Sequence, residues 1–229
     1  MKARYGSVWE KYPIREGQMW EFDHGRLLCI DLMDVAGVEV VNLLGKVDLV
    51  YVDPPWNSVQ LARFYKTRGA IPSVSYLEFL IHLAGLMKRI CPMGLIVIDI
   101  ADSSRDLLLG VFAEAGATRL ALAPSWYASG RCWLWAGSFG DQERIIMPNG
   151  MGGKKEITFI TQYAAKIFGD GFSMADLCCG KGTFLMAALH SGAGYVCGVE
   201  MLERKLAHAI KGLLKAGLVD CGKRQIALG

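Results

Sequence analysis

Apolar positions along the chain fall into short unbroken runs that alternate with stretches of helical period. Residues 26–30, 47–52, 94–100 and 195–199 are runs of aliphatic and β-branched side chains. Such runs predict strands buried on both faces. Leu77, Leu80, Ile81, Ala84 and Met87 recur at helical spacing, as do Leu107, Leu108, Val111, Phe112 and Ala115. The same spacing predicts helices over 157–168 and 202–214, and a shorter one after Asp31 that ends at Leu44 with Gly45 as its cap. Ser75 and Glu78 form a capping-box pattern, and Lys88 and Arg89 suit the far end of that helix. Residues 118–123 and 131–136 predict a hairpin whose connection is 124–130. Residues 58–72 read as a polar loop, and 137–155, with its PNGMGGKK, as the only linker-like stretch. Up to about residue 24 there is no clean period, and Trp9, Tyr12 and Trp20 suggest an arm or lid. Strands alternating with helices predict one α/β domain over 26–229, mostly parallel with an antiparallel hairpin, after an arm over 1–25.

Composition narrows the class. The chain has 229 residues, 52% of them apolar, enough for one domain with a sizeable core. The formal charge of +3 permits nucleic-acid binding without arguing for it. No stretch has the length of a membrane span, and residues 1–17 lack the apolar centre of a signal peptide. The seven cysteines have no framework spacing, which predicts reduced thiols and a cytoplasmic location. His24, His82, His190 and His208 are scattered, so no metal is expected.

The chemistry concentrates in two stretches. Residues 47–57 read VDLVYVDPPWN, a strand that stops at Pro54 and Pro55. Prolines cannot extend a ladder, so Asp53 and Trp56 fall at the carboxyl end of the strand, where open α/β sheets bind ligands. The Asp53 carboxylate and the proline-turn carbonyls are acceptors that can hold an exocyclic amino group. Trp56 offers a face for a base. Residues 176–183 read DLCCGKGT, a glycine turn between a strand and a helix. Such a turn lets backbone approach a ligand at a helix N-terminus. Glu200 follows at the end of the next apolar run, at the spacing of an acid that takes ribose hydroxyls.

Together, DPPW and DLCCGKGT resemble the signatures D-P-P-[YFW] and D-P-F-C-G-S-G-T of the S-adenosylmethionine-dependent amino-methyltransferases of DNA. The catalytic motif precedes the cofactor motif, as in the permuted β-class. The resemblance covers roughly Arg26 to Gly217. Asn57 matches the frequent D-P-P-Y-N, Asp31 sits where the family meets the cofactor adenine, and Lys155 matches the Lys of a Lys-Pro motif. The departures are Ile30 for Gly, Leu177 and Cys178 for Pro and Phe, Lys181 for Ser, and Glu156 for Pro.

The resemblance implies a circularly permuted Rossmann-like domain, with a catalytic half at 26–136, a loop at 137–154 and a cofactor half at 155–229. It implies methyl transfer to a DNA base, with Asp53, Pro54, Pro55 and Trp56 catalytic. S-adenosyl-L-methionine would be held by Asp31, Asp53, Lys155, Asp176, Cys178, Cys179, Gly180, Gly182, Thr183 and Glu200. Asn57, Arg63, Lys66, Arg68 and Trp126 are the candidates for substrate, the basic residues through phosphate. Asp at the head of the tetrapeptide favours adenine N6; cytosine N4 and RNA adenine N6 are the alternatives. A silent nucleic-acid-binding subunit is a further alternative, against which the intact Asp53 and glycine turn speak. The family's sizeable target-recognition insert has no counterpart beyond the loop, which predicts relaxed sequence specificity, or a homodimer or second subunit that supplies it.

Overall fold

The computed structural model describes residues 8–35, 37–127, 130–143, 145–147 and 152–226, with the side chains of Val38, Val40, Tyr127 and Lys154 outside it. The strands are β1 (Gln18–Phe22), β2 (Gly25–Cys29), β3 (Leu49–Val52), β4 (Leu95–Ala101), β5 (Thr118–Tyr127), β6 (Gly130–Ser138), β7 (Ser173–Asp176), β8 (Tyr195–Val199) and β9 (Asp220–Gln225). The helices are α1 (Gly37–Leu44), α2 (Ser58–Thr67), α3 (Tyr76–Ile90), α4 (Arg105–Glu114), α5 (Lys154–Phe168), α6 (Thr183–His190) and α7 (Glu203–Lys215). All strands join one sheet in the order β5-β6-β4-β3-β7-β8-β2-β1-β9. The run β4-β3-β7-β8-β2 is parallel, and antiparallel pairs close both sides. This is the α/β class expected from the alternation of runs.

The central strand shows how the sheet is held. In β3, Leu49 and Tyr51 face one way and Val50 and Val52 the other, and all are buried. Val50 and Val52 pack with Leu80, Leu83 and Met87 of α3 and Phe112 of α4. Leu49 and Tyr51 pack with Ile160 of α5, Phe184 of α6 and Ile210 of α7. The Tyr51 and Phe184 rings stack at 3.6 Å between centroids. A strand covered on both faces needs no polar alternation, which is why it reads as an apolar run.

Several elements differ from their sequence expectations. Gln18–Phe22, within the stretch read as an arm, is strand β1, paired with both β2 and β9. Residues 58–67, read as a polar loop, form α2. Asn57 caps it by accepting from the Gln60 amide at 2.9 Å, and Leu61 and Tyr65 supply the buried face. Two buried residues in a short helix make too weak a period to stand out. On α3, Leu80, Ala84 and Met87 are buried as expected, Leu77 and Ile81 are exposed, and Phe79, Leu83, Leu86 and Ile90 complete the buried face. The hairpin strands are longer than expected, because β5 continues through Pro124 to Tyr127. Strand β5 is an edge, and its missing N–H costs no ladder bond there. Strand β9, DCGKRQ, is exposed along its whole length, so no hydrophobic pattern announced it. The linker-like stretch ends at Gly153, where α5 begins, and Pro148 to Met151 lie outside the described residues. No helix among the described residues is long and apolar enough to cross a membrane.

Phe112 is fully buried, with its ring 5.1 Å from that of Trp135. Phe112→Ala should therefore destabilise the fold by about 3–5 kcal/mol, read as a lowered urea midpoint.

Candidate active site

The parallel strands all end on one side of the molecule, and the expected residues gather there. Asp31 follows β2, Asp53 follows β3, the glycine turn follows β7, and Glu200 follows β8. Tyr51 of β3 is the register partner of Asp176 of β7, and the Leu177 amide donates to the Tyr51 carbonyl. The two signature stretches, far apart in sequence, are thus adjacent strand ends.

Asp53 is half-buried, and its Oδ1 accepts a hydrogen bond from the Trp56 indole Nε1 at 3.0 Å. The turn between them is braced twice. The Trp56 amide donates to Gln60 Oε1, and Ser104 Oγ donates to the Trp56 carbonyl at 2.5 Å. Trp56 is therefore a hydrogen-bond partner of the catalytic-candidate carboxylate as well as a half-buried ring beside it. Burial pushes the Asp53 carboxyl up to about 6, with the Trp56 bond and the charge of Lys205 acting in the other direction.

The glycine turn is shaped by backbone conformations that only glycine adopts easily. Gly180 and Gly182 have φ of 54° and 75°. A Cβ on Gly182 would also stand 3.0 Å from the Cβ of Ala209 on α7. Asp176 accepts from the Cys178 amide at 3.1 Å, and the Cys179 amide donates to the Val199 carbonyl. Burial, with Asp53 and Glu200 nearby, holds the Asp176 carboxyl well above the usual range. Thr183 opens α6 at the exposed surface. Glu200 is buried, accepts from the Leu202 amide at 2.8 Å, and has its Oε2 3.7 Å from the Lys205 ammonium. Burial raises its carboxyl, and Lys205 pulls it down. The Lys205 ammonium also lies 4.8 Å from the Phe64 ring of α2.

The remaining candidates divide. Asp31 is buried, accepts from the Met33 amide through Oδ1 and pairs with Arg68 through Oδ2, both at 3.0 Å. Arg68 also pairs with Glu16, so its guanidinium is engaged inside the protein and does not face a phosphate. Arg63 and Lys66 are exposed on α2, directly after the catalytic tetrapeptide. Asn57 is used as the cap of that helix. Lys155 is exposed in the first turn of α5, and Trp126 stands 55% exposed on β5 beside the hairpin turn.

A group of polar side chains beside Asp53 was not expected. Glu156 is buried and accepts from the Ser125 hydroxyl of β5. Asp99 of β4 is buried too, and its Oδ1 has no hydrogen-bond partner among the described residues. Burial, then Glu156 and Asp53, push the Asp99 carboxyl up to about 8. The signal was present as a lone acid inside the apolar run LIVIDIA. Among the described residues no group of histidine, cysteine or acid side chains is arranged to hold a metal.

Solved structures share this architecture. The complex of M1.HpyAVI with SAM superposes with a TM-score of 0.57 at 16% identity, over 82% of this chain and 98% of that one. TTHA0409 of Thermus thermophilus, complexed with S-adenosyl-L-methionine, gives 0.57 at 15% identity, over 85% and 96%. The cytosine-N4-specific PvuII DNA methyltransferase gives 0.58 at 13% identity, over 83% and 86%. The chain has a methyltransferase fold. No family model and no curated protein sequence matches it.

The raised carboxyls tie stability to pH. A carboxyl whose folded pKa exceeds its unfolded value binds more protons in the native state, so stability falls as pH rises through the interval between the two. For Asp53 that interval runs from 3.8 to about 6, and for Asp99 from 3.8 to about 8. The urea midpoint of the ligand-free protein should drop between pH 5 and pH 8. Asp99→Asn should lose less over the same range.

Proposed function

We propose that this protein transfers a methyl group from S-adenosylmethionine to the exocyclic amino group of a DNA base, with adenine N6 as the favoured target. The observation that carries this reading is the adjacency of the Asp53-Pro54-Pro55-Trp56 turn and the Asp176–Thr183 glycine turn at neighbouring strand ends. One stretch has the chemistry to hold an amino group and the other to hold the methyl donor.

The site suits that cofactor in charge as well as in shape. Asp53, Asp99, Glu156, Asp176 and Glu200 are carboxyls that burial has pushed upward. Buried acids in excess of cations favour a cationic ligand, because its charge offsets their desolvation. The cofactor supplies an electrophilic methyl on a sulfonium, together with an ammonium. Glu200, at a strand end beside Gly180, would accept hydrogen bonds from the ribose hydroxyls, and Asp31 would meet the adenine side.

Asp53 would accept a hydrogen bond from the amino group, aim its nitrogen lone pair and keep it in line with the methyl. As the N–C bond forms, the S–C bond breaks and the nitrogen becomes positive. Its surplus proton can pass to Asp53, whose affinity for protons near pH 6 suits a base that must release it again. Reaching this pocket requires the base to leave a duplex. Arg63 and Lys66, exposed on α2, would contact the backbone, with Trp126 as a stacking candidate from the hairpin. The alternatives at this level are cytosine N4 and RNA adenine. The compact connection between β6 and α5 supports short or relaxed sequence specificity, or a second copy or subunit that supplies it.

Three measurements test the reading. Glu200→Ala should weaken cofactor binding by about 1–3 kcal/mol in calorimetry, and unchanged affinity would remove Glu200 from the site. Asp53→Ala should abolish transfer of radiolabelled methyl to DNA while the cofactor still binds; near wild-type transfer would sink the mechanism. If phosphate contacts dominate substrate binding, activity on DNA should fall steeply between about 50 and 200 mM salt.

A further inference from the structure

Asp99 is a carboxyl that the mechanism above does not use. It lies on β4, next to β3 in the sheet. Val52, the last residue of β3, is in register with Ile98 of β4, and Asp53 and Asp99 are the next residues of the two chains, close enough for the charge of Asp53 to act on Asp99. Leu134 of β6 pairs with Asp99, and Cys132 lies two positions away along that strand. Ser125 of β5 pairs with Cys132, and Glu156 of α5 closes the group by accepting from Ser125. The Cys132 thiol and the Ile100 amide lie near enough to the Asp99 carboxyl to temper the rise that burial causes. Its Oδ1 is left without a partner among the described residues, in a side chain only 5% exposed. An unsatisfied buried polar atom is costly, and native structures leave few of them without a reason.

The sheet order says what kind of ligand Oδ1 would meet. Asp53 lies between the glycine turn of β7 on one side and Asp99 of β4 on the other. A methyl donor seated on the β7 side leaves the β4 side to the acceptor. Adenine and cytosine both present an amino group next to an unprotonated ring nitrogen, a donor beside an acceptor. We propose that Asp99 reads this edge, its carboxyl hydrogen-bonding the ring nitrogen adjacent to the amino group that Asp53 holds. The inference rests on the methyl-transfer reading and adds to it a residue that specifies the base.

The protonation states agree with this geometry. Two carboxyls this close do not both ionise readily. Among the described residues, the groups around Asp99 are Tyr51 of β3, Asp53 after it, Cys132 of β6, Ser125 of β5 and Glu156 of α5, and none of these is a cation. Lys205 lowers Asp53 but does not figure among the influences on Asp99. Lys205 favours the charged form of Asp53 and not of Asp99, which suits the proposed roles, with Asp53 accepting from the amino group and Asp99 donating through its proton.

The test uses the full chain and two oligonucleotides, one with the natural target base and one with its deaza analogue. The analogue is 1-deazaadenine for adenine or 3-deazacytosine for cytosine, with C–H in place of the ring nitrogen. Wild type should lose about tenfold or more in kcat/KM on the analogue. D99L should lose a similar factor on the natural base and nothing further on the analogue. D99N, which retains an N–H donor, should restore discrimination between the two and flatten the alkaline fall of the pH profile. Cofactor affinity in calorimetry should stay within about twofold in both variants, a margin of a few tenths of a kcal/mol. Independent, multiplicative losses in D99L, or loss of cofactor binding in D99N, would overturn the role of Asp99 and leave the methyl-transfer reading standing. Wild type that transfers no methyl to either oligonucleotide would overturn both.

Discussion

Strand β3 cannot continue past Val52, and the site follows from that. It is flanked by β4 and β7 and buried on both faces, so any residue that extended it would need a ladder bond. Pro54 and Pro55 have no N–H to give. The chain must leave the sheet at Asp53, which places a carboxylate at the rim with apolar side chains beneath it. Asn57 then caps α2, and the turn between strand and helix is fixed at both ends. Ser104 and Gln60 hold the Trp56 backbone between them, and the indole returns to Asp53. Position and orientation of the carboxylate are thus set before any ligand arrives, which is the preorganisation that positioning catalysis requires.

The second consequence is electrostatic. Parallel strands that end together bring their terminal residues together, and in this chain many of those residues are acids. Burial raises the Asp99 and Asp176 carboxyls first, and repulsion from neighbouring acids adds to it. The folded protein holds this charge at a cost in stability, a trade common at functional sites. The ordinary structural answer, a buried ion pair, is used sparingly. Lys205 approaches Glu200, and Arg68 satisfies Asp31, but Asp53, Asp99 and Asp176 have no such cationic partner among the described residues.

What could be read from the sequence followed from how strongly each residue's role is local. The β3 and β4 runs, the capping box at Ser75 and Glu78, and the glycine turn carry their meaning within a few residues, and each was legible. The order of strands in the sheet was not, because register and adjacency belong to the whole chain. Strand β9 shows the same limit from the other side, since an edge strand with polar side chains needs only a neighbour's backbone. Arg68 shows it for chemistry. In sequence it lies in a basic, aromatic stretch that suits phosphate, yet the fold turns it onto Asp31 and Glu16. Asp99 looked like one acid in an apolar strand until β3 was placed beside it.

The compactness of the chain sharpens the question of how a base would be selected. Between β6 and α5 there is a short connection and no separate domain, so little is available to read a groove. Where no second copy or subunit supplies specificity, discrimination on the proposed reading would come from the pocket, where a flipped base meets fixed groups. A site of this kind rejects the wrong base well only if its polar groups are buried and would be left unpaired by it. Asp53 and Asp99 side by side meet that condition. On the proposed assignment, a carboxylate acceptor next to a protonated carboxyl would match an amino group next to a ring nitrogen. A base with a carbonyl and an N–H in those places presents the reverse pattern, and it has no amino nitrogen to receive the methyl. Selection of the base and activation of its amino group would then be properties of the same pair of strand ends, which lets a chain this small do both.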